Sequence, residues 1–155
     1  MSTASYTREA SLGVILIDNP PVNAIGAALV RDLGTALDAF EQDSGAAALV
    51  IECAGSTFVA GGDIAAFEDP AFSAQPFNRL LMRLAGSERP VVAALFGTVL
   101  GGGLELAGLP RSCRGTADAF RDARSDARAD SWIAGHTAFT PPGGPQAGGA
   151  NDIHR

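Results

Sequence analysis

Large aliphatic side chains almost stop at residue 107 of this 155-residue chain, and no other feature constrains its fold as much. From residue 108 onward the only aliphatic residues larger than Ala are Leu109, Ile133 and Ile153, whereas the same stretch holds seven Gly and four Pro. A segment with so little to bury cannot offset the entropy lost when its backbone is ordered. The composition therefore predicts one folded domain ahead of residue 108 and a disordered tail over residues 108–155.

The charges divide at the same place and exclude several functions. Residues 1–107 carry a net charge of −7 and residues 108–155 a net charge of +1. Every basic residue is an Arg, and these are scattered singly, so no basic stripe exists to bind a nucleic-acid backbone. The lack of Lys also excludes a P-loop, whose lysine must reach the phosphates.

Neither a membrane nor an oxidising compartment is indicated. No apolar run reaches the roughly 18 residues of a membrane helix, and the polar start of the chain does not resemble a secretory leader. Cys53 and Cys113 stand in no metal-binding or redox spacing. They are typical of the reduced thiols of a cytoplasmic protein.

The residues ahead of position 108 alternate between strand and helix patterns. Apolar runs at 12–17, 46–51 and 91–95 predict buried strands. Two helices are predicted from apolar residues at helical spacing: Leu29, Leu33, Leu37 and Phe40 in the first, which Asn23 could cap, and Phe77, Leu80, Leu81 and Leu84 in the second. A glycine run at 101–103 opens a third helix, so the order indicates an α/β core with covered strands.

Two glycine-rich turns each follow a predicted strand and lead towards a helix. They span residues 60–63 and 97–103. Glycine lets a ligand approach the backbone, and the amides exposed at such turns can stabilise negative charge on an oxygen atom. Taken singly, each is more typical of a simple tight turn than of a binding site. A dinucleotide-binding fingerprint is not met, because Leu106 occupies the position of its third glycine.

Glu105 is the one acidic residue in the apolar stretch from 91 to 107. A solvated surface glutamate is the ordinary explanation for such a residue on a helix. Burial beside the glycine turn would instead suit it to proton transfer. The residues alone leave both interpretations open.

Four stretches together resemble the enoyl-CoA hydratase/isomerase (crotonase) family. They are residues 19–24 (NPPVNA), 58–64 (FVAGGDI), 90–94 (PVVAA) and 97–107, in the order and roughly the spacing of the family. The resemblance covers residues 10–107 and is greatest to the hydratase half of multifunctional fatty-acid β-oxidation proteins. It implies the N-terminal half of a crotonase-like spiral of ββα units, in a family that is usually homo-oligomeric.

The resemblance also implies roles for individual residues. Gly62 and Gly102 would supply the two backbone amides of an oxyanion hole, with Gly62 standing where the family commonly has alanine. The CoA moiety would contact Ala24, Ala60 and Ile64, and Glu105 matches the first of two catalytic glutamates. The implied reaction is hydration of 2-enoyl-CoA thioesters, which needs no metal or redox cofactor. Coenzyme A is part of the substrate. An enoyl-CoA isomerase and a non-catalytic fragment remain alternatives.

The second catalytic glutamate of the family has no counterpart in this chain. Its expected position holds Arg124 and Ser125, and the surrounding residues do not resemble the family. Codons displaced by one base from the junction of Ala123 and Arg124 onward can encode most of the family's motif, beginning Pro-Glu-Val, although the junction of Ala134 and Gly135 cannot give the family's glycine. We therefore expect residues 108–155 to be the product of a frameshift near residues 107–109.

Overall fold

A five-stranded sheet organises the described part of the chain. The computed structural model describes residues 2–68, 73–108 and 114–115. The strands lie side by side in chain order: β1 (Ala4–Glu9), β2 (Leu12–Ile17), β3 (Ala48–Cys53), β4 (Val91–Ala94) and β5 (Arg114–Gly115). β1 pairs with β2 in the antiparallel sense, and every later pair is parallel.

Helices connect the parallel strands, as the pairing requires. The helices are α1 (Ala27–Gln42), a short 3-10 helix (Ile64–Glu68), α2 (Gln75–Ala85) and α3 (Gly102–Ala107). α1 joins β2 to β3, α2 joins β3 to β4, and α3 follows β4. This arrangement confirms the predicted α/β class. No helix in the described ranges is long and apolar enough to cross a membrane.

Strands β2, β3 and β4 are buried on both faces, as their apolar sequences predict. Leu49 and Ile51 of β3 pack into the main core with the apolar face of α1. Val50 points to the opposite face, where it clusters with Val92 and Ala94 of β4. A strand covered on both sides needs a continuous apolar run, and β3 has one.

The predicted elements match the observed ones closely, except at the start of α1. The strand predicted at 46–51 begins two residues later, because the Ala46 amide donates to the carbonyl of Asp43 in the turn that ends α1. The prediction that Asn23 caps α1 is wrong. Gly26 is the N-cap and makes no side-chain cap, whereas the Asn23 side chain is buried elsewhere.

β1 was not predicted, because its residues are mostly polar. Of its six residues only Ala4 is buried, which is typical of an edge strand with one solvated face. The strand is held by its antiparallel ladder to β2 and by Asp32 of α1, whose carboxylate accepts from the Thr3 amide at 2.8 Å. Apolar periodicity gives no sign of such a strand.

Arg89 closes the C-terminal end of α1. Its guanidinium lies 3.7 Å from the centroid of the Phe40 ring and donates to the carbonyls of Phe40, Asp43 and Ala46. The last carbonyls of a helix have no intrahelical donors, so a cation there satisfies them and complements the helix dipole. Arg89 thereby connects α1 to the residues that lead into β4.

Tyr6 is the one tyrosine in the chain, and its phenol should lose its proton only at unusually high pH. Its hydroxyl donates to the Asp43 carboxylate at 2.9 Å, and burial together with this bond raises the pKa of Tyr6 to about 12 from 10.0. The folded state holds the phenol proton more tightly than the unfolded chain. This contribution to stability is therefore complete below pH 10 and is lost as the pH rises towards 12.

Titration of tyrosinate absorbance tests this expectation. The folded chain should give a midpoint near pH 12, and the urea-unfolded chain a midpoint near pH 10. Between pH 10 and pH 12 the urea midpoint of the wild-type chain should fall. A Tyr6→Phe variant has no phenol to titrate, so its midpoint should fall less. Equal midpoints in the folded and unfolded chains would contradict the hydrogen bond to Asp43.

Some of the sequence-based expectations lie outside the described residues. Of residues 108–155, where disorder is predicted, the structure describes only Gly108 and the two residues of β5, which pair with β4. Cys113 and the junctions on which the frameshift hypothesis depends also lie outside the described ranges.

Candidate functional site

The two glycine-rich turns lie side by side at the carboxyl ends of β3 and β4. The Phe58 amide donates to the carbonyl of Phe96 at 3.1 Å, and the Leu100 amide donates to the carbonyl of Val59 at the same distance. Val59 and Val99 form a parallel bridge between the turns. Because β3 and β4 are parallel neighbours, their following loops meet at one edge of the sheet.

Gly61 and Gly101 bring the bends into contact. Both have positive φ, at +111° and +48°, a region that side chains with a Cβ rarely adopt. A Cβ placed on Gly101 would lie 3.5 Å from the Cα of Gly61, and one on Gly61 would lie 3.5 Å from the carbonyl oxygen of Leu100. The two turns therefore pack backbone against backbone.

The amide of Gly62 points away from Ile25, its partner in a short parallel bridge. Ile25 donates to the carbonyl of Gly61 at 2.8 Å and accepts from the amide of Asp63 at 2.9 Å, so it binds the residues on either side of Gly62. Amides alternate in direction along an extended backbone, and that of Gly62 consequently points to the opposite side. Gly62 is exposed to solvent.

The amide of Gly102 belongs to a helix start. Gly102 is the first residue of α3, and amides in the first turn of a helix have no intrahelical acceptor. A Cβ on Gly103 would overlap the carbonyl oxygen of Val59. Glycine at this position therefore lets α3 pack directly against the backbone at Val59, just ahead of the 60–63 turn. Two separate backbone donors, from Gly62 and Gly102, thus belong to bends that touch.

Glu105 lies in the first turn of α3, and its side chain is exposed. Of the two interpretations of this residue, the structure agrees with the solvated one and not with the buried one. Its own amide donates to the carbonyl of Gly101 at 3.3 Å, so its backbone is fixed to the same bend that precedes Gly102. Leu100 and Leu104 beside it are also exposed, at 54% and 53%. The carboxylate therefore stands in an open, partly apolar setting.

The three residues matched to CoA contacts lie on or next to the 60–63 turn and on the 19–24 segment beside it. Ala60 donates its amide to the carbonyl of Val22, which joins the turn to the 19–24 segment that holds Ala24. Ala24 and Ala60 are half-buried, and Ile64 is 79% exposed. They form an accessible edge beside Gly62. Among the described residues, Ile64 is not part of the apolar core.

Asn23 supports the site in a way that sequence reasoning missed. Its side chain donates to the carbonyls of Ala54 and Thr57, at 3.0 and 2.9 Å, and accepts from the Asn19 amide at 2.8 Å. It is 3% exposed and has a φ of +53°, which asparagine tolerates better than most residues. Asn23 ties the segment ahead of Ile25 to the loop after β3. Ala54 and Thr57 are more than thirty residues away in sequence, so no local pattern could have revealed these two bonds.

Other chemistry-bearing groups in the described residues do not form a second site. Burial raises the pKa of the Cys53 thiol, which keeps it protonated and unreactive. Within residues 2–68 and 73–108, no three His, Cys, Asp or Glu side chains are grouped so as to hold a metal ion.

Comparison with known proteins gives the same family as the sequence motifs. Residues 7–109 match the family described as Enoyl-CoA hydratase/isomerase. A probable enoyl-CoA hydratase of Bacillus subtilis is 35% identical over 113 residues, covering 69% of this chain and 44% of the relative. The human peroxisomal bifunctional enzyme is 41% identical over 105 residues, covering 67% of this chain and 14% of that enzyme.

Solved structures give the same result for the fold. The apo structure of the Mtb enoyl-CoA isomerase superposes with a TM-score of 0.63 at 32% identity, covering 73% of this chain and 50% of that one. The described residues thus have the crotonase fold that the resemblance implied. The chain spans less than half the length of the Bacillus relative and half of the Mtb structure.

Proposed function

Because this chain belongs to the enoyl-CoA hydratase/isomerase family, we propose that it binds an acyl-CoA thioester with the carbonyl oxygen between the amides of Gly62 and Gly102. The observation that carries the proposal is the contact between their two bends, at the ends of adjacent parallel strands. Two donors aimed at one oxygen stabilise the negative charge that develops there during reaction at a conjugated thioester.

The proposed reaction is hydration of the double bond of a 2-enoyl-CoA. Hydrogen bonds from the two amides draw electron density from the double bond onto the thioester oxygen. The oxygen of water then bonds to the β-carbon, and a proton is delivered to the α-carbon as the enolate returns to the thioester. Every atom of the product comes from the substrate and water, so the step needs no redox cofactor.

Glu105 is the proposed acid/base group. It stands one turn along α3 from Gly102, so a substrate carbonyl at that helix start would be close to its carboxylate. The exposed edge formed by Ala24, Ala60 and Ile64 is the proposed contact for the CoA moiety. A place in fatty-acid β-oxidation agrees with the similarity to the peroxisomal bifunctional enzyme.

Two other activities are favoured by specific observations. The similarity to an enoyl-CoA isomerase favours double-bond migration, for which the same oxyanion site and a single carboxylate would serve. Arg124 and Ser125, at the position of the family's second glutamate, favour a fragment that binds acyl-CoA without catalysis. If residues 108–155 come from a frameshift, one single-base change in the coding DNA must restore the family's motif.

Absorbance measurements on the purified chain separate the three possibilities. A hydratase consumes crotonyl-CoA, and the absorbance of its conjugated thioester falls. An isomerase given a 3-enoyl-CoA raises that absorbance instead. Binding of either substrate with no absorbance change would indicate the fragment, and a chain that binds no acyl-CoA would contradict the proposal altogether.

A further inference from the structure

Ile25 lies against both bends that carry the proposed oxyanion donors, with its backbone on the first bend and its side chain on the second. Its amide and carbonyl bind Gly61 and Asp63, at 2.8 and 2.9 Å, and so fix the bend that carries Gly62. Its Cδ1 atom lies 2.7 Å from the position that a Cβ would take on Gly102. One residue therefore touches the two bends that must converge.

The side chain of Ile25 is held firmly enough to act as a spacer. It is 9% exposed and belongs to the main core, and the Phe77 ring of α2 lies on the same side of Gly102, 3.1 Å from the same Cβ position. β-branching restricts the χ1 of Ile25, and burial in the core limits where its terminal methyl can lie. The N-terminal turn of α3 rests on this methyl and on the ring.

We infer that Ile25 is a positioning residue that sets the separation of the Gly62 and Gly102 amides, and this inference rests on the proposed acyl-CoA function. Main-chain bonds fix the first bend, and the Leu100 amide joins the second bend to Val59. Gly102 lies beyond that bond, so its place depends on how the start of α3 packs against Ile25 and Phe77. Loss of the Cδ1 methyl would let Gly102 shift towards Ile25 while Gly62 stays in place. The two amides would then fit a single carbonyl oxygen less well.

An Ile25→Val variant removes that methyl alone, and Ile17→Val is its matched control. Ile17 is fully buried in the same core, within β2, and takes no part in the proposed site. Both variants lose one methyl group from an isoleucine in the core, so a purely structural effect should be similar in the two.

The readout is the ratio of affinities for butyryl-CoA and for its S-butyl thioether, which lacks the carbonyl oxygen. The wild-type chain should prefer the thioester, Ile17→Val should keep that preference, and Ile25→Val should lower it by about threefold, as expected for one weakened hydrogen bond. Equal ratios in the two variants would overturn the positioning role and leave the proposed function standing. A wild-type chain with no preference for the thioester would overturn both.

Discussion

Glu105→Gln should lower the rate of crotonyl-CoA hydration by at least about a hundredfold, the loss expected when a general acid/base is removed. The amide has the shape of the carboxylate but cannot accept or deliver the proton that moves between water and the α-carbon. Because Glu105 is exposed and lies outside the buried core, the substitution should leave the fold unchanged. The measurement is the fall in crotonyl-CoA absorbance with time.

Glu41→Gln supplies the control for this prediction. Glu41 is an exposed glutamate of α1 that pairs with Arg83, away from both glycine turns. Its neutralisation should leave hydration at the wild-type rate, and both variants should bind butyryl-CoA as the wild type does. Turnover by Glu105→Gln at a rate close to that of Glu41→Gln would remove Glu105 from the chemistry.

Gly103→Ala should destabilise the fold by about 3 kcal/mol or more, the upper range for overpacking a core. A Cβ at this position overlaps the carbonyl oxygen of Val59 and lies 2.9 Å from the Cβ of the same residue. The obstacle is a backbone atom and cannot rotate away, so α3 would have to move away from Val59 and the 60–63 turn. That movement would also separate Gly102 from the bend at Gly62.

Gly34→Ala is the matched control, since it makes the same change within a helix. Nothing lies within 4 Å of a Cβ at Gly34, and alanine has the better helix propensity. This variant should gain about 0.5–1 kcal/mol in the free energy of unfolding, measured in urea. Two alanine variants that lose stability equally would show that the close approach of α3 to Val59 is not what requires glycine at 103.

Local pattern was enough to predict most of the elements but not the contacts between them. The spacing of Leu29, Leu33, Leu37 and Phe40 predicted α1, because a helix that buries one face must repeat its apolar residues at that period. β1 pairs with the neighbouring β2, but its mostly polar residues show no apolar period that would predict it. The bonds of Asn23 to Ala54 and Thr57 depend on partners more than thirty residues along the chain, outside any local window.

The candidate site was predictable in its parts and not in its assembly. Glycine at 61 and 101 marks two bends in the sequence, and only the parallel pairing of β3 with β4 brings them together. The exposure of Glu105 was also open at the sequence level, because apolar neighbours along a helix do not determine which of its faces is covered. Leu104, next to it, is apolar and exposed as well.

The most direct test of the account is to observe the two amides themselves by NMR in a ¹⁵N-labelled chain. Titration with butyryl-CoA should move the Gly62 and Gly102 amide resonances together, with one dissociation constant, because both donate to the same carbonyl oxygen. The S-butyl thioether should leave these two resonances close to their positions in the free protein. If only one of them responds to butyryl-CoA, or if the thioether moves both equally, the two amides do not share a carbonyl oxygen and the account is wrong.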